Sequence, residues 1–578
     1  MISIDLLKSI ALFQDLTPEG LVRITEHIAE VHFSAGDWIV QEGEEPAFFV
    51  IVSGEVDVIK SARGVDRRVV VWGAGDFFGE IPLLLDVPAL ASVQARQESH
   101  LLRLDEVGFR TLMGCPTLKA RILKDWALRL GSLKATVCAS PTPRARIIGE
   151  RQDPVCHDVR LFLDRNHVPI EVIEPAQAAQ VTGFSSAEIE RMCPFVQFED
   201  HSTLTDLHSY RELAERVKLQ TRPHRDRYDV VIVGAGPAGL AAAVYGASEG
   251  LSTLVVEKHA PGGQAMTSSR IRNYLGFPAG LSGDELARRA SRQAVAFGAE
   301  MVVARKVEKL VPGQLGDWHT IGLDGGDPVR SKTVVLATGV QWREHPALTH
   351  HPLMGRGIFY GSAPSDAAEA AGHVAMVVGG GNSAGQAVAY LAGRASKVLL
   401  VCRGRSLQDS MSQYLIDQIG RLSNVEQIFN TEVQSAEGTD HLERVTLQDK
   451  SGKAWQLPVQ HLFLMLGGEA HTDWVKAVVT CDEHGYICTG REMLDVVGPK
   501  NWSLQRDPFI LETSVPGIFA AGDVRHESIK RVASGVGEGS MSIALVHRYL
   551  AVSRADRIDL EKSSALGRIP SPAVNARV

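Results

Sequence analysis

Two glycine-rich segments in the C-terminal half have the spacing that cradles a dinucleotide phosphate. The first, Gly234-Ala235-Gly236-Pro237-Ala238-Gly239, directly follows the apolar run Tyr228 to Val233. The second, Gly379-Gly380-Gly381-Asn382-Ser383-Ala384, follows Val374 to Val378. In such a loop the first glycine permits a tight turn and the second lets the backbone approach a pyrophosphate. The third small residue lets the helix pack on the strand. Each loop leads into an Ala-rich, helix-forming stretch, whose free N-terminal amides and positive dipole end would face the phosphates. Glu257 comes about twenty residues beyond the first loop, where a carboxylate can hold ribose hydroxyls. Two such sites imply two nucleotides, most simply a flavin and a nicotinamide.

The second loop carries its own specificity signal. Gly379, Gly381 and Ala384 hold the fingerprint positions, with Asn382 and Ser383 between them. The next strand, Lys397 to Val401, ends in Cys402-Arg403-Gly404-Arg405 and not in an acid. A carboxylate there would accept the 2′-hydroxyl of NADH, whereas cations favour the 2′-phosphate of NADPH. Arg403 and Arg405 therefore point to NADPH, with NADH as the alternative.

A chain of 578 residues is too long for one core and divides into about three or four domains. The formal charge of −8 excludes the basic face that bulk nucleic-acid binding needs. No stretch approaches the roughly 20 apolar residues of a membrane span, and Met1-Ile2-Ser3-Ile4-Asp5 does not open a secretory signal. Seven scattered cysteines without a Cys-x-x-Cys fit a reducing compartment. The expected location is the cytoplasm, and no metal is expected.

The elements that position these residues form a multidomain α/β chain. Residues 1–135 open with a helix and continue as short strands broken by turns such as Ala35-Gly36-Asp37 and Ser53-Gly54-Glu55, which suggests a β-roll or barrel. Amphipathic helices follow at about 105–135, and Ala139-Ser140-Pro141-Thr142-Pro143 marks a boundary. Residues 144–220 read as a small α/β domain. Rossmann-like domains follow at 227–343 and 344–466, the first completed by 467–552, and residues 553–578 form a disordered tail.

Further segments make the C-terminal part resemble the low-molecular-weight thioredoxin reductase family. They are Pro261-Gly262-Gly263-Gln264, Asn273-Tyr274-Leu275-Gly276-Phe277-Pro278, Ala337-Thr338-Gly339, Gly517-Ile518-Phe519-Ala520-Ala521-Gly522-Asp523 and Gly537-Glu538-Gly539. The resemblance implies that these segments surround FAD, that Asp523 holds the ribityl chain, that the chain is a homodimer and that the nicotinamide domain rotates. It also implies a His-Arg-Arg motif with a further Arg. Only Arg403 matches this, because Gly404 and Gln408 stand at the other arginine positions.

One expected feature is missing. In thioredoxin reductases a Cys-x-x-Cys follows a Tyr shortly before the second glycine loop, and FAD reduces it. Here Gly361 and Pro364 follow Tyr360 at those positions, and neither can form a thiolate. Ferredoxin and flavodoxin reductases of the same architecture also lack the pair and pass electrons directly from FAD. His526 lies near the flavin end of the pattern, but a lone histidine is more often structural. No side chain is assigned as catalytic acid or base.

Residues 144–220 resemble a glutaredoxin- or thioredoxin-like fold. Asp153-Pro154-Val155-Cys156 stands where such folds carry Cys-Pro-x-Cys, and Cys193-Pro194 looks like the dipeptide that contains the cis-proline. The attacking thiolate belongs to the first position, here Asp153, so ordinary dithiol exchange is lost. A redox pair of Cys156 with Cys193 competes with the reading of both as buried structural cysteines.

The N-terminal residues resemble a cyclic-nucleotide-binding domain through Glu42-Gly43, Val52-Ser53-Gly54-Glu55-Val56 and Phe78-Gly79-Glu80-Ile81. Glu80 matches the acid that takes a ribose 2′-hydroxyl. The paired Arg-Ser or Arg-Thr that neutralises the cyclic phosphate falls on Ala89-Leu90, and its loss costs about 2–3 kcal/mol of charge-assisted bonding. The domain is expected to serve as a docking, dimerisation or altered-ligand module, a nucleotide-like ligand being one option, with cyclic AMP disfavoured.

Taken together the residues imply a flavoprotein that passes electrons from NAD(P)H through FAD to a small redox protein or small-molecule acceptor. The alternative is a flavin- or nucleotide-responsive regulatory protein with little turnover.

Overall fold

The computed structural model describes residues 4–566, apart from positions 15, 26, 45, 63–64, 86–88, 126–142, 151–152, 269, 279, 315, 327, 363, 499–501 and 503. The chain forms two compact units, one of Met1–Pro143 with His167–Pro169, the other of Arg144–Asn166 with Ile170–Val578.

In the first unit short strands form two four-stranded antiparallel sheets, with Phe48–Ile51 buried at successive positions. One orders Ile28–Phe33, Ser99–Leu104, Phe48–Ser53 and Phe77–Phe78; the other orders Trp38–Val40, Ser92–Ala95, Glu55–Ala62 and Val65–Gly73. This is a roll and not a closed barrel. Phe48, Val50, Leu102 and Leu104 fill its core with helices Pro18–Thr25 and Glu106–Met113. The boundary residues 139–142 lie outside the described residues.

The second unit begins with a four-stranded sheet in which Ile170–Ile173, Ala145–Ile148, Phe195–Phe198 and Thr203–Leu204 are neighbours in that order. The first pair is parallel and the other two are antiparallel, the thioredoxin-like order. Helix Pro154–Arg165 is started by Asp153, whose carboxylate accepts the amides of Val155 and Cys156. Helices Pro175–Thr182 and Ser186–Met192 lead to a cis peptide between Cys193 and Pro194.

The rest is a pair of doubly wound sheets with a three-stranded antiparallel sheet of Thr431–Glu437, Arg444–Asp449 and Ala454–Pro458. The first has parallel strands Glu300–Val302, Thr253–Val256, Arg227–Val233, Val329–Leu336 and Ile518–Ala520, extended by antiparallel His319–Leu323 and Val307–Val311. The second is parallel throughout, in the order Ile358–Tyr360, His461–Leu464, Val374–Val378, Lys397–Cys402 and Val425–Phe429. Their apolar strands are buried on both faces, as parallel sheets require. The two chain crossings between the sheets, Val340–Trp342 and Gly468–Ala470, pair as an antiparallel ribbon. The closing helix, Val532–Leu566, continues beyond residue 552 into the segment expected to be a tail.

Burial holds His319 and His461 at about 4. The unfolded chain takes up protons near pH 6.5 that the folded chain refuses. Their contribution is therefore constant above that pH and is lost as pH falls toward 4. The urea midpoint is expected to be lower at pH 5 than at pH 7.5. His319→Gln, which keeps an acceptor for the Gly313 amide, should narrow the gap; an unchanged gap contradicts the assignment.

Candidate functional site

The two glycine loops differ internally in what each glycine is for. Gly234 has φ +102°, and a Cβ there would lie 2.5 Å from the Ala337 carbonyl oxygen. A Cβ at Gly239 would lie 1.9 Å from the Gly234 oxygen, so the helix can approach the strand only without it. Gly236 is another case. Its φ of −72° suits any residue, and the protein atom nearest a Cβ is Gly263 Cα at 4.0 Å. Protein packing does not demand that glycine; the open space in front of it does.

The second loop repeats the division. Gly379, at φ +149°, would press a Cβ against the Met465 oxygen at 2.5 Å. Gly381, at φ −92°, would meet nothing closer than the Ser410 oxygen at 3.9 Å. Both loops therefore keep room at the middle glycine for a ligand to touch the backbone, which is the fit a dinucleotide needs. Helices Pro237–Ser248 and Asn382–Leu391 begin there without a side-chain cap, leaving their first amides to a ligand.

Side chains complete the first site. Glu257 is buried, and its two oxygens accept the amides of Ala235 at 2.8 Å and His259 at 2.9 Å. These bonds fix the carboxylate, which keeps further lone pairs for ribose hydroxyls. Glu538 accepts the Gly522 amide at 2.7 Å and pairs with Arg525 at 2.8 Å, which sets the turn that presents Asp523. Burial raises the Asp523 pKa, countered by Lys530. Gln264 donates to the Val340 carbonyl at 2.7 Å, tying the Gly263 turn to the inter-domain ribbon.

Both loops open onto one cavity of ≈ 1520 Å³. That exceeds the roughly 300–1,000 Å³ of a single small-molecule site and suits two dinucleotides. Every expected binding residue lines it except Gly239, which lies beneath the first loop, and Arg405. Arg403 alone of the two arginines therefore faces the nucleotide space. His526 does not line the cavity and is held by Asp482 at 2.7 Å, in keeping with a structural histidine. Trp342, His345, His471, Trp474 and Lys530 also line it. None belongs to a local motif, so only the fold brings them to the site.

In the segment without cysteines Ser362 lines the cavity, and Gly361 beside it is packed. Gly361 has φ +85° and is buried, and the Trp342 ring lies 3.2 Å from where its Cβ would be. The following helix, Pro364–Glu369, meets the thioredoxin-like helix Pro154–Arg165 through one ion pair and one polar contact. His157 Nε2 lies 3.9 Å from Asp366, and Arg160 lies 3.4 Å from Glu369. Arg160 also donates to His157 Nδ1 at 3.2 Å, which leaves the proton of a neutral His157 on Nε2, toward Asp366. Burial and the Arg160 charge lower the His157 pKa, which favours that neutral form.

The surroundings of the two cysteines in the thioredoxin-like domain disfavour a thiolate. Cys156 and Cys193 are free thiols. Burial, with the charges of Asp153 and Cys193, pushes Cys156 up to about 12, and burial and Asp153 also raise Cys193. The residue that replaces the attacking cysteine thus disfavours charge on the remaining two.

In the N-terminal unit Ala89 is buried, and the Leu90 carbonyl accepts from Lys60 at 2.6 Å. Lys60 also pairs with Glu42 at 2.6 Å, so the cation that reaches the Ala89-Leu90 position arrives neutralised. On the outer face Glu30, His32 and His100 each bring one ligand atom to within 4.8 Å of the others.

Comparison with known proteins agrees with this geometry. Residues 228–539 match the model of the pyridine nucleotide-disulphide oxidoreductases, and residues 30–114 match the cyclic nucleotide-binding domain. The thioredoxin reductase of Listeria innocua is 32% identical over 327 residues, 56% of this chain and 94% of the relative. The thioredoxin reductase of Bacillus subtilis is also 32% identical over 327 residues, 56% of this chain and 95% of its own length. Among solved structures, Lactococcus lactis thioredoxin reductase in its FR conformation aligns with TM-score 0.50 at 26% identity, covering 56% of this chain and 99% of that one.

Gly236→Ala is expected to leave the apoprotein melting temperature within about 1 °C of wild type, because the methyl group meets no protein atom and φ is unstrained, while flavin content falls at least about tenfold from the lost backbone approach. Equal flavin content, read from the purified protein's absorbance, contradicts the assignment. Cys156 should resist iodoacetamide at pH 8, where a pKa of about 12 leaves about one thiolate in 10⁴. Rapid alkylation in peptide mass spectra contradicts the buried, acid-flanked thiol.

Proposed function

Because the chain belongs to the pyridine nucleotide-disulphide oxidoreductase family and is similar to thioredoxin reductases, which use FAD and NADPH, we propose that it oxidises NADPH through FAD and passes the electrons directly to an acceptor, without a protein dithiol. The carrying observation is that both glycine loops open onto one cavity. A nicotinamide nucleotide on the second loop and a flavin on the first then share one space, and hydride transfer needs no rotation of the second domain.

FAD supplies the chemistry, accepting a hydride pair and releasing electrons onward. The chain supplies position and exclusion of water. Gly236 and Gly381 admit the pyrophosphates, Glu257 holds ribose and Asp523 the ribityl side. Arg403 meets the 2′-phosphate of the coenzyme, with Arg405 outside the cavity.

The acceptor is a small molecule or the exposed cofactor of a small redox protein. Two observations support this over a disulfide partner. Gly361 and Pro364 replace the dithiol, and the helix after them is covered by the thioredoxin-like domain through His157–Asp366 and Arg160–Glu369. In the N-terminal domain Glu80 takes a ribose hydroxyl of a nucleotide-like ligand, and the Lys60–Glu42 pair disfavours cyclic AMP. The chain works as a cytoplasmic homodimer, a reading consistent with exposed Tyr245, Leu275 and Phe297. Among the described residues no helix is long and apolar enough to cross a membrane. The relatives are oxidoreductases and lend the regulatory alternative no support.

Anaerobic stopped-flow mixing with NADPH and with NADH tests this. Fast bleaching of the flavin band by NADPH, and slower bleaching by NADH at equal concentration, is expected. Arg403→Gln should raise the NADPH concentration needed for half-maximal rate about tenfold, the weight of one charge-assisted phosphate contact, and leave the NADH response unchanged. A flavin inert to both coenzymes contradicts the proposal.

A further inference from the structure

The family model covers residues 228–539, yet one side chain in the dinucleotide cavity comes from outside it. Arg165 ends the thioredoxin-like helix Pro154–Arg165 and lines the cavity beside Glu257, Lys258 and His259. The end of that helix is fixed on the loop after Glu257. Asn166 Nδ2 donates to the His259 carbonyl at 3.3 Å. Tyr210 stacks on Phe162 at 4.8 Å and meets the His259 ring edge-on at 5.6 Å.

The guanidinium itself is half-buried, and no hydrogen bond or ion pair holds it among the described residues. Burial disfavours its charge, while Asp366 and Glu257 lie close enough to favour it. Arg305, which lines the same cavity, shows how this fold treats a structural arginine. It is 1% exposed and bound to Asp324 at 2.9 Å and to the Thr221 carbonyl at 2.7 Å. A guanidinium that reaches the cavity near two carboxylates, without an ion pair to either, keeps donors open for an incoming acceptor. The group expected beside Glu257 is the nucleotide half of the flavin, which offers phosphate oxygens, ribose hydroxyls and an adenine face. A guanidinium suits all three.

We propose that the thioredoxin-like domain contributes Arg165 as a binding residue for the AMP half of FAD, so that this domain completes the flavin site. The proposal rests on the reading that the first glycine loop holds FAD. It gives the domain a purpose that needs no thiol chemistry.

The test is titration of the full-length apoprotein with FAD and with FMN, which lacks the AMP half, following flavin fluorescence. Arg165→Met keeps the apolar stem and should raise the FAD Kd about 10- to 100-fold, as loss of a charge-assisted contact does, and leave FMN binding unchanged. Arg165→Lys should recover part of the loss. Unchanged FAD affinity, or an equal loss for FMN, overturns the proposal. Hydrogen exchange on the wild-type protein guards against a variant that misfolds: amides of residues 160–166 should gain protection when FAD is added, and no gain overturns the proposal. Wild-type apoprotein that binds no FAD refutes the flavin reading itself, which separates the two failures.

Discussion

A pyrophosphate can lie against a strand–helix turn only where the backbone is bare. Gly236 and Gly381 meet that requirement at positions where neither backbone strain nor protein packing calls for glycine. The flanking glycines are required by packing, because an added Cβ would come as close as 1.9 Å to a backbone oxygen. Two apolar parallel sheets hold these turns, and the ribbon of Val340–Trp342 with Gly468–Ala470 sets one sheet against the other. Glu257, Asp523 and Arg403 add direction to a site whose basic shape comes from missing side chains.

The same economy explains the thioredoxin-like domain. Asp153 gives its first helix a good N-cap, and burial, followed by the Asp153 charge, raises the pKa of the nearby Cys156 and Cys193. The helix is instead used as a packing element. Its His157 and Arg160, one turn apart, meet Asp366 and Glu369, also one turn apart, on the helix that follows the missing dithiol. Loss of cysteines on both sides of this contact is consistent between the two partners: neither helix retains the first residue of a redox pair. On the proposed reading, electrons leave from the flavin edge.

Much of this was legible in the sequence, because the fingerprint glycines, the acid after the second strand and the Gly-Asp turn are local signals. A strand, a turn and a helix within thirty or so residues fix their own geometry. The Cys193–Pro194 dipeptide was readable through the resemblance to thioredoxin-like folds, and the peptide is cis; the strand order was not read from the sequence. What was not legible is long-range. Arg403 matches the family motif and Arg405 stands two residues on, but only the path of the chain after Cys402 shows which of them lines the cavity. Lys60 reaches Leu90 across thirty residues of roll. Trp342 fills the space beside Gly361, and Arg165 enters from a separate domain. No periodicity marks such residues, since their neighbours are chosen by sheet stacking and domain docking.

The central claim, that a flavin fed by nicotinamide works here without a protein dithiol, has a direct electron count. Anaerobic titration of the FAD-loaded protein with NADPH should bleach the flavin completely at about one equivalent per FAD, because a flavin stores one hydride pair. A requirement for about two equivalents would mean that a disulfide shares the electrons, and no bleaching would mean that the second loop does not deliver them. Either result contradicts the account.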